Sequence, residues 1–310
     1  MGLSTSVLRP AILGFAHHRW VEGLVTRTRA GRAVASRFVA GETLAEAMAV
    51  TRDISGDGIT AMWSVLGENV ESAEEALHVR EAYLAEIAAA RSDPALDVVV
   101  SVKPTHLGLD LSVDACWSIL EPILAEGERT GSWVMIDMES HAYVDRTLEI
   151  LRLAHDRWPR SGVAIQSYLR RSADDVFALP EGCRVRLVKG AYLEPKDLVF
   201  RSKREVDENF RRLFSTLLSR DHPIDVATHD PSLIEGVRAR VDAMEDGWSR
   251  VEFQMLYGVR PDLQRSLATQ GYPVRVSIPY GTEWYPYLTR RLAERPANLW
   301  FFLSNLMRTR

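Results

Sequence analysis

The sequence predicts an α/β protein whose core is a distorted (β/α)8 TIM-like barrel, preceded by an N-terminal helical arm. From Gly56 onward, eight short runs rich in β-branched and aromatic residues alternate with long helical stretches. Several runs, such as 98–100, are apolar with little alternation, which is typical of parallel strands covered by helices. Eight such units in about 250 residues favour a closed barrel. Periodicity does not show whether the first and last strands pair, so an open doubly wound sheet is the alternative.

Residues 1–55 are the predicted helical arm, the first of two expected domains. They contain no strand-like run, and Leu44, Ala47 and Thr51 recur at helical spacing. Residues 56–310 are the second domain, the β/α barrel.

The strands of the barrel are predicted from their apolar runs. In chain order they are Ile59–Ser64, Asp97–Lys103, Trp133–Asp137, Val163–Tyr168, Arg184–Lys189, Ile224–Thr228, Val251–Met255 and Val274–Ile278. Helical patterns rich in Ala, Leu, Glu and Arg fill the connections, most clearly in segments 70–91 and 203–220.

Polar residues recur at the carboxyl ends of these strands. They are Lys103, Asp137, Gln166, Tyr168, Arg186, Lys189, Thr228, His229 and Gln254. In a barrel those ends line the one large concave face, where binding and chemistry take place. A strand also ends where polarity begins, which could explain any single residue. Because polar groups on buried strands are costly unless paired, so many together favour a site.

The last predicted helix carries Tyr287, Arg290, Arg291 and Glu294, which are neighbours at i,i+3 and i,i+4 spacing. Planar guanidinium forks match the geometry of a carboxylate better than lysines do. We therefore expect the two arginines to bind a carboxylate and Glu294 to hold Arg290. An arginine pair alone is more often a solvated helix face, but the preceding VSIPYGTEWYPYL is an unusual exposed segment.

Composition excludes several classes of function. With 38 basic and 42 acidic residues the net charge is −4, so no basic field for nucleic acid exists. Cys116 and Cys183 lack CxxC spacing, which predicts reduced thiols in a cytoplasmic protein. No apolar run approaches the ~18 residues of a spanning helix, so any membrane contact is expected to be peripheral.

Common cofactor and metal motifs are also missing. Gly56, Gly58 and Ala61 spell G-x-G-x-x-A, but they precede a strand, whereas a dinucleotide fingerprint must follow one. No HExxH or calcium loop occurs, and we expect no metal.

Seven segments, in order over about residues 57–303, resemble the flavin-dependent proline dehydrogenase family. The most specific are RLVKGAYLEPK (186–196) and VSIPYGTEWYPYLTRRLAERPANLWFFL (276–303). The others are DGITAMWSVLGE (57–68), SVKPTHLGL (101–109), IDMES (136–140), ATHD (227–230) and EFQMLYGVR (252–260). The chain length is similar to that of the monofunctional bacterial form.

The resemblance implies that FAD binds at the strand carboxyl ends and that L-proline is oxidised to Δ1-pyrroline-5-carboxylate in proline catabolism, with hydride passing from substrate C5 to flavin N5. The catalytic and substrate-binding residues it implies are Lys103, Asp137, Arg186, Leu256, Ser277, Tyr287, Arg290, Arg291 and Glu294. The flavin-contacting residues it implies are Asp137, Gln166, Arg186, Val188, Lys189, Gly190, Ala191, Tyr192, Thr228, His229 and Gln254.

Individual roles follow from the same resemblance. Lys103 adds a third positive charge to the arginine pair, and these cations favour the neutral amine that hydride loss requires. Leu256 and Tyr287 wall the substrate ring. Arg186 lies near flavin N5, where a cation stabilises the reduced flavin. Lys189 and His229 meet the phosphates.

Ser277 departs from the family pattern, which has a tyrosine at this place. In the branch that oxidises 4-hydroxyproline, serine is typical. An apolar pocket rejects an added hydroxyl by only ~100-fold, whereas a site built to bind that hydroxyl can reject the analogue lacking it by ~10⁴. We expect L-proline first and trans-4-hydroxy-L-proline second.

Two other classes of function are left open. Lys103 or Lys189 could form a Schiff base in a barrel lyase or aldolase, since desolvated lysines at strand ends are nucleophiles. The chain could also be a non-catalytic ligand-binding relative. For the enzyme, the family implies a membrane quinone as electron acceptor and transient contact with a separate pyrroline-carboxylate dehydrogenase.

Overall fold

The structure, a computed structural model, describes residue 26 and residues 28–93 and 95–294, without the side chains of residues 29, 30 and 292–294. Eight parallel strands pair in sequence order and close into a barrel. They are β1 (Thr60–Val65), β2 (Val98–Val102), β3 (Val134–Ile136), β4 (Ser161–Gln166), β5 (Arg184–Val188), β6 (Ile224–Ala227), β7 (Val251–Leu256) and β8 (Val274–Tyr280).

The first and last strands pair over six residues, from Thr60 with Arg275 to Val65 with Tyr280. This pairing confirms the barrel and rules out the open sheet. All eight predicted strands are present, with ends that differ by at most two residues. The predicted fourth strand was to end at Tyr168, but β4 ends at Gln166, because the chain turns there and the Leu169 amide donates back to the Gln166 carbonyl.

Helices surround the barrel. They are α1 (Arg29–Ala35), α2 (Leu44–Ser55), α3 (Ala73–Ser92), α4 (Val113–Thr130), α5 (Val144–Arg157), α6 (Ser172–Phe177), α7 (Lys203–Ser219), α8 (Pro231–Val241), α9 (Pro261–Thr269) and α10 (Trp284–Glu294). Short 3₁₀ turns occur at Thr105–Leu107, His141–Tyr143 and Gly247–Ser249. Segments 70–91 and 203–220, predicted as helices, correspond to α3 and α7.

Side-chain caps define where the helices begin. The Thr43 and Glu46 side chains form a capping box at the start of α2, and Ser202 and Glu205 form another at α7. Such caps satisfy amide groups that the first turn leaves unbonded. The buried side chains of α7, among them Phe210, Leu213 and Leu217, form its apolar face, and the helix packs against β5 and β6.

The amino-terminal end of the barrel is closed by buried ion pairs. Arg184 Nε lies 2.9 Å from Asp225 Oδ1, and Arg184 Nη2 lies 2.9 Å from Glu252 Oε1. Arg275 Nε meets the same Glu252 oxygen at 2.7 Å. These groups face away from the carboxyl-end loops, so we assign them to stability.

Part of the predicted arm packs on the last helix. Val34 and Phe38, in and after α1, share an apolar cluster with Trp284 and Leu288 of α10. Residues 1–25 and 27 lie outside the described residues, and the boundary after residue 55 stays a prediction. No helix among the described residues is long and apolar enough to span a bilayer.

Candidate active site

An ionic cluster occupies the carboxyl ends of β2, β3 and β5. Asp137, one residue beyond β3, accepts hydrogen bonds from Ser101 Oγ at 2.6 Å and from Arg186 Nη2. Lys103 Nζ lies 3.5 Å from the other Asp137 oxygen and 3.4 Å from Ser64 Oγ. Burial opposes ionisation of Asp137, yet the charges of Arg186 and Lys103 lower its pKa. The cluster therefore keeps one carboxylate ionised between two cations.

Arg186 is the most enclosed cation of the cluster, with 8% of its surface exposed. Besides Asp137, its guanidinium contacts Met62 Sδ at 3.1 Å and Ser101 Oγ at 3.4 Å. Acceptors on three strands therefore hold the group in one orientation. A fixed positive charge at the barrel mouth can stabilise negative charge that develops on a bound molecule.

Arg290 of α10 pairs with Glu68, in the loop after β1. Its Nη2 lies 2.8 Å from Glu68 Oε1 and its Nη1 lies 3.2 Å from Oε2. Two parallel hydrogen bonds of this kind orient both groups. The predicted partner of Arg290 was Glu294, whose side chain lies outside the described residues, so that prediction is not tested.

Arg291 and Tyr287 are in contact as their spacing predicts. The guanidinium carbon of Arg291 lies 5.4 Å from the centre of the Tyr287 ring, within the range of a cation–π contact. The aromatic ring therefore fixes the direction of this arginine.

A glycine allows the loop that carries Glu68 to lie close against His106. Gly67 has φ +156, and a Cβ there would lie 2.2 Å from His106 Nε2. Burial and the charge of Lys103 lower the pKa of His106 to about 4, so the ring is neutral at neutral pH. A neutral, buried imidazole thus serves as a packing surface for the loop.

Glu194 anchors the loop after β5 to the loops after β3 and β4. The Glu194 carboxylate accepts from the His141 amide at 2.9 Å and from the Tyr168 hydroxyl at 3.2 Å, and it also pairs with the His141 ring. Gly190, with φ +106, lies against the Tyr168 ring, where a Cβ would come within 2.1 Å of Cδ1. Gly190 is therefore needed for this close approach.

Tyr192 lies in the same loop, four residues beyond the end of β5. Burial raises the pKa of its phenol, the charges of Glu139, Glu68 and Asp137 raise it further, and Arg290 lowers it. Together these effects keep the Tyr192 hydroxyl protonated at neutral pH. Exposed Ala191 and half-buried Val188 flank the segment.

Gln166 at the end of β4 is buried, with 3% exposed. Its amide nitrogen donates to the carbonyls of Met138 and Glu139 at 2.9 and 2.8 Å. Its Oε1 is buried and has no hydrogen-bond partner among the described residues. The buried Oε1 of Gln254 likewise has no partner among the described residues, but its amide nitrogen donates to Glu252 of the amino-terminal ion pairs at 2.9 Å.

Lys189 is held between two helices. Its Nζ lies 2.6 Å from Asp207 Oδ1 in α7 and 2.8 Å from Asp230 Oδ2 at the start of α8. Lys203 Nζ meets the same Asp230 oxygen at 2.7 Å. Although burial opposes it, the two lysines lower the pKa of Asp230. Lys189 therefore belongs to a compact group of alternating charges.

Thr228 and His229 follow β6, and the side chain of each accepts a hydrogen bond from a nearby backbone amide. Thr228 Oγ1 accepts from the Asp230 amide at 3.1 Å, and His229 Nε2 accepts from the Leu256 amide at 3.1 Å. His229 is thereby oriented with Nδ1 as its protonated nitrogen when the ring is neutral.

Ser277 lies on β8 between two apolar neighbours. It pairs in register with Met62 of β1 on one side and with Leu256 of β7 on the other. Both Ser277 and Leu256 are half-buried. A small hydroxylated side chain thus stands in an apolar part of the strand-end region.

The structure adds residues that the sequence argument missed. They are Met62, Ser64, Glu68, Ser101, Glu139, Asp207 and Asp230. Ser101 could have been found, because it is the one polar residue in the run 98–102 and shares a strand face with Lys103. Glu68 had no such signal. Among the described residues, no group of three potential ligands could hold a metal ion.

Comparisons with known proteins agree with this architecture. The profile of the family named Proline dehydrogenase matches residues 47–303. Proline dehydrogenase 1 of Bacillus subtilis subsp. natto is 38% identical over 275 residues, which is 88% of this chain and 91% of the relative. Proline dehydrogenase of Deinococcus radiodurans is 36% identical over 306 residues, covering 97% of this chain and 98% of the relative.

A solved structure shares the fold. Proline utilization A (PutA) from Bdellovibrio bacteriovorus, inactivated by N-propargylglycine, superposes with a TM-score of 0.79 at 25% identity. The match covers 94% of this chain but 36% of that protein, so this chain spans about a third of its length.

Proposed function

Because the chain belongs to the proline dehydrogenase family, in its monofunctional bacterial form, we propose that it oxidises L-proline to Δ1-pyrroline-5-carboxylate with FAD as the hydride acceptor. The observation that carries the proposal is the ionic cluster at the strand carboxyl ends, where Arg186 and Lys103 enclose Asp137. The pairing of Arg290 in α10 with Glu68, in the loop after β1, supports a carboxylate-binding guanidinium at the same end of the barrel.

The residues at the mouth fit a flavin. Gln166 Oε1 is a buried acceptor without a partner, as a donor on a bound ring system requires. Gly190, which has no side chain and a left-handed φ of +106, leaves its backbone bare in the loop after β5. Arg186 supplies a buried, oriented cation. When bound, FAD supplies a two-electron acceptor for the hydride.

We assign further flavin contacts to residues around these three. They are Asp137, Val188, Lys189, Ala191, Tyr192, Thr228, His229 and Gln254. Lys189 already meets Asp207 and Asp230, so its remaining N–H donor is the one available to a phosphate. Gln254 has a weaker claim, because its amide is directed to Glu252.

We assign substrate binding to the cationic side chains of α10 and to Lys103, which directly follows β2. Arg290 and Arg291 bind the carboxylate of proline, Lys103 adds its charge, and Glu294 orients the arginines. Leu256 and Tyr287 cover the apolar ring. The nearby cations disfavour a protonated ring nitrogen, and the neutral amine has the lone pair that must form the C=N bond as hydride leaves C5.

The proposal is tested by the absorption spectrum of the purified protein and by turnover. We expect a flavin spectrum, and reduction of that flavin by L-proline under anaerobic conditions. Absence of bound flavin, together with failure to bind added FAD, would overturn the cofactor assignment. Borohydride trapping of Lys103 or Lys189 with a carbonyl compound would instead support the Schiff-base alternative.

A second substrate, trans-4-hydroxy-L-proline, is favoured by Ser277. Its half-buried position between Met62 and Leu256 offers one hydroxyl inside an apolar wall. Comparing kcat/KM for the two substrates with an artificial electron acceptor decides between them. Turnover of either one excludes a non-catalytic ligand-binding protein.

The remaining parts of the proposal rest on the family. We infer that a membrane quinone reoxidises the flavin, reached by peripheral contact from the cytoplasm. We also infer transient contact with a separate pyrroline-carboxylate dehydrogenase that consumes the product. Quinone-dependent turnover in the presence of lipid vesicles tests the first inference.

A further inference from the structure

Glu139 is a buried carboxylate at the mouth that the proposed reaction does not use. It lies three residues beyond β3 and is 4% exposed. Both of its oxygens accept hydrogen bonds from one residue, Thr105: Oε2 from the amide at 2.8 Å and Oε1 from the hydroxyl at 2.6 Å. Burying an ionisable group is costly, and here both carboxylate oxygens accept from the same residue of a short 3₁₀ turn.

Thr105 in turn holds the loop after β1. Its hydroxyl oxygen accepts from the Asn69 amide and its carbonyl accepts from the Val70 amide, each at 3.3 Å. Asn69 has φ 54, a left-handed conformation that persists only where the surroundings support it. The Thr105 hydroxyl, which is itself held by Glu139, therefore helps to keep Asn69 in this conformation.

This loop carries Glu68, the partner of Arg290. Its other end is held by β8, because the Leu66 amide donates to the Tyr280 carbonyl at 2.8 Å. Glu68 is thus placed by two anchors, one at Tyr280 and the other at Thr105. Loss of the Thr105 anchor changes where Glu68 directs the Arg290 guanidinium.

The backbone of Glu139 holds the opposite side of the mouth. Its carbonyl oxygen accepts from Gln166 Nε2 at 2.8 Å, which leaves Gln166 Oε1 as the unpartnered acceptor. One residue therefore connects the Gln166 side of the mouth with the Arg290 side.

We propose that Glu139 is a positioning residue, which through Thr105 fixes the loop bearing Glu68 and so orients Arg290 for the substrate carboxylate. The inference rests on the proposed function, because it assigns the substrate carboxylate to Arg290. Glu139 itself touches neither substrate nor cofactor in this scheme.

Titration of Glu139 gives the proposal a pH signature. Burial raises the pKa of Glu139 to about 7, against the two hydrogen bonds from Thr105 that lower it. Protonation turns one of the two oxygens into a hydroxyl, which is a weaker acceptor, so the hydrogen bond from Thr105 to that oxygen weakens. The titratable and charged groups that act on it or feel its charge are Glu68, Tyr83, Lys103, Cys116, Tyr143 and Tyr192. We expect KM to rise as the pH falls below about 7.

The test uses Glu139→Gln and Thr105→Val in the flavin-loaded protein. Loss of one charge-assisted hydrogen bond corresponds to about a tenfold change, so each variant is expected to raise KM about tenfold with a smaller change in kcat. Because both act through the same contact, the double variant should match one single variant rather than their product. Thr105→Ser keeps the hydroxyl and should restore the wild-type KM.

A buried acid elsewhere provides the matched control. Asp175 in α6 is 8% exposed and pairs with Arg171, so Asp175→Asn makes the same chemical change without reaching Thr105. Its KM should equal that of the wild type. The acid-side rise of KM should persist in Asp175→Asn and disappear in Glu139→Gln.

Hydrogen exchange provides a readout that does not depend on turnover. In Glu139→Gln the amides of Asn69 and Val70 should exchange faster, while those of the Glu194-bound loop keep their wild-type rates. Unchanged exchange at 69–70, or an unchanged KM in an active protein, would overturn the positioning role. A wild type that binds flavin but turns over neither substrate would instead count against the proposed function.

Discussion

Glu68 and Arg290 form an ion pair with two hydrogen bonds, which joins the loop after β1 to α10, the helix that follows the neighbouring strand β8. Both terminal nitrogens of the guanidinium are engaged by Glu68. If Arg290 binds the substrate carboxylate, as we propose, that carboxylate must share the guanidinium with Glu68 or displace Glu68 from it. The pair keeps the guanidinium oriented before substrate arrives, which lowers the entropy cost of binding.

Replacing Arg290 by lysine tests the carboxylate role. Arg290→Lys keeps the positive charge but loses the planar fork, so we expect KM for L-proline to rise roughly ten- to a hundredfold, as for loss of a bidentate charged hydrogen bond. The flavin content should stay at the wild-type level. Steady-state kinetics with absorbance at the flavin band measure both.

The control for this variant is Arg129→Lys, an exposed arginine of α4 paired with Glu126. Its kinetics should match the wild type, since surface pairs contribute little. An unchanged KM in Arg290→Lys would remove Arg290 from the substrate site.

We expect Asp137 to contribute strongly to the free energy of unfolding, because its carboxylate neutralises the buried guanidinium of Arg186. Asp137→Asn leaves that buried guanidinium without a carboxylate, and breaking a buried pair costs about 3 kcal/mol or more. Thermal unfolding should show a clearly lower Tm than in Asp145→Asn, whose exposed carboxylate pairs with Arg171 at the surface. Equal Tm values in the two variants would show that Ser101 and Met62 suffice to hold Arg186.

The barrel and the position of its mouth could be predicted because they depend on local patterns. The apolar run 98–102 marks a covered parallel strand, and Lys103 directly after it marks a carboxyl end. Tyr287 and Arg291 could be paired from helical spacing alone.

Contacts between residues far apart in the chain could not be predicted, because a single sequence does not show which distant elements lie side by side. Glu68 and Arg290 are separated by 222 positions, and only closure of the barrel brings them together. The capture of Lys189 by Asp207 and Asp230 was missed for the same reason, since α7 and α8 follow β5 and β6 by loops of unknown course. The prediction that Lys189 binds a phosphate did not take into account that both aspartates compete for its ammonium group.

Ser277→Tyr tests substrate choice. A tyrosine between Met62 and Leu256 fills the space available to a ring hydroxyl, so the ratio of kcat/KM for L-proline to that for trans-4-hydroxy-L-proline should rise by about tenfold or more. Ser277→Ala serves as the control that removes the hydroxyl without filling the space. If neither variant moves the ratio, Ser277 plays no part in specificity.

Glu86 makes stability depend on pH. It lies in α3 with no exposed surface, and burial raises its pKa from 4.5 to about 8. A carboxyl whose pKa is raised on folding stabilises the protein while it is protonated, and this contribution is lost as the pH rises from about 4.5 through 8. Glu86→Gln mimics the protonated form at every pH. The variant should therefore be more stable than the wild type at pH 8, by at most about 4 kcal/mol, and equal to it near pH 4.5.

Chemical denaturation at both pH values measures the difference, with Glu81→Gln on the exposed face of the same helix as control. A stability gap that stays constant with pH would show that Glu86 is ionised throughout, held by the nearby Lys103.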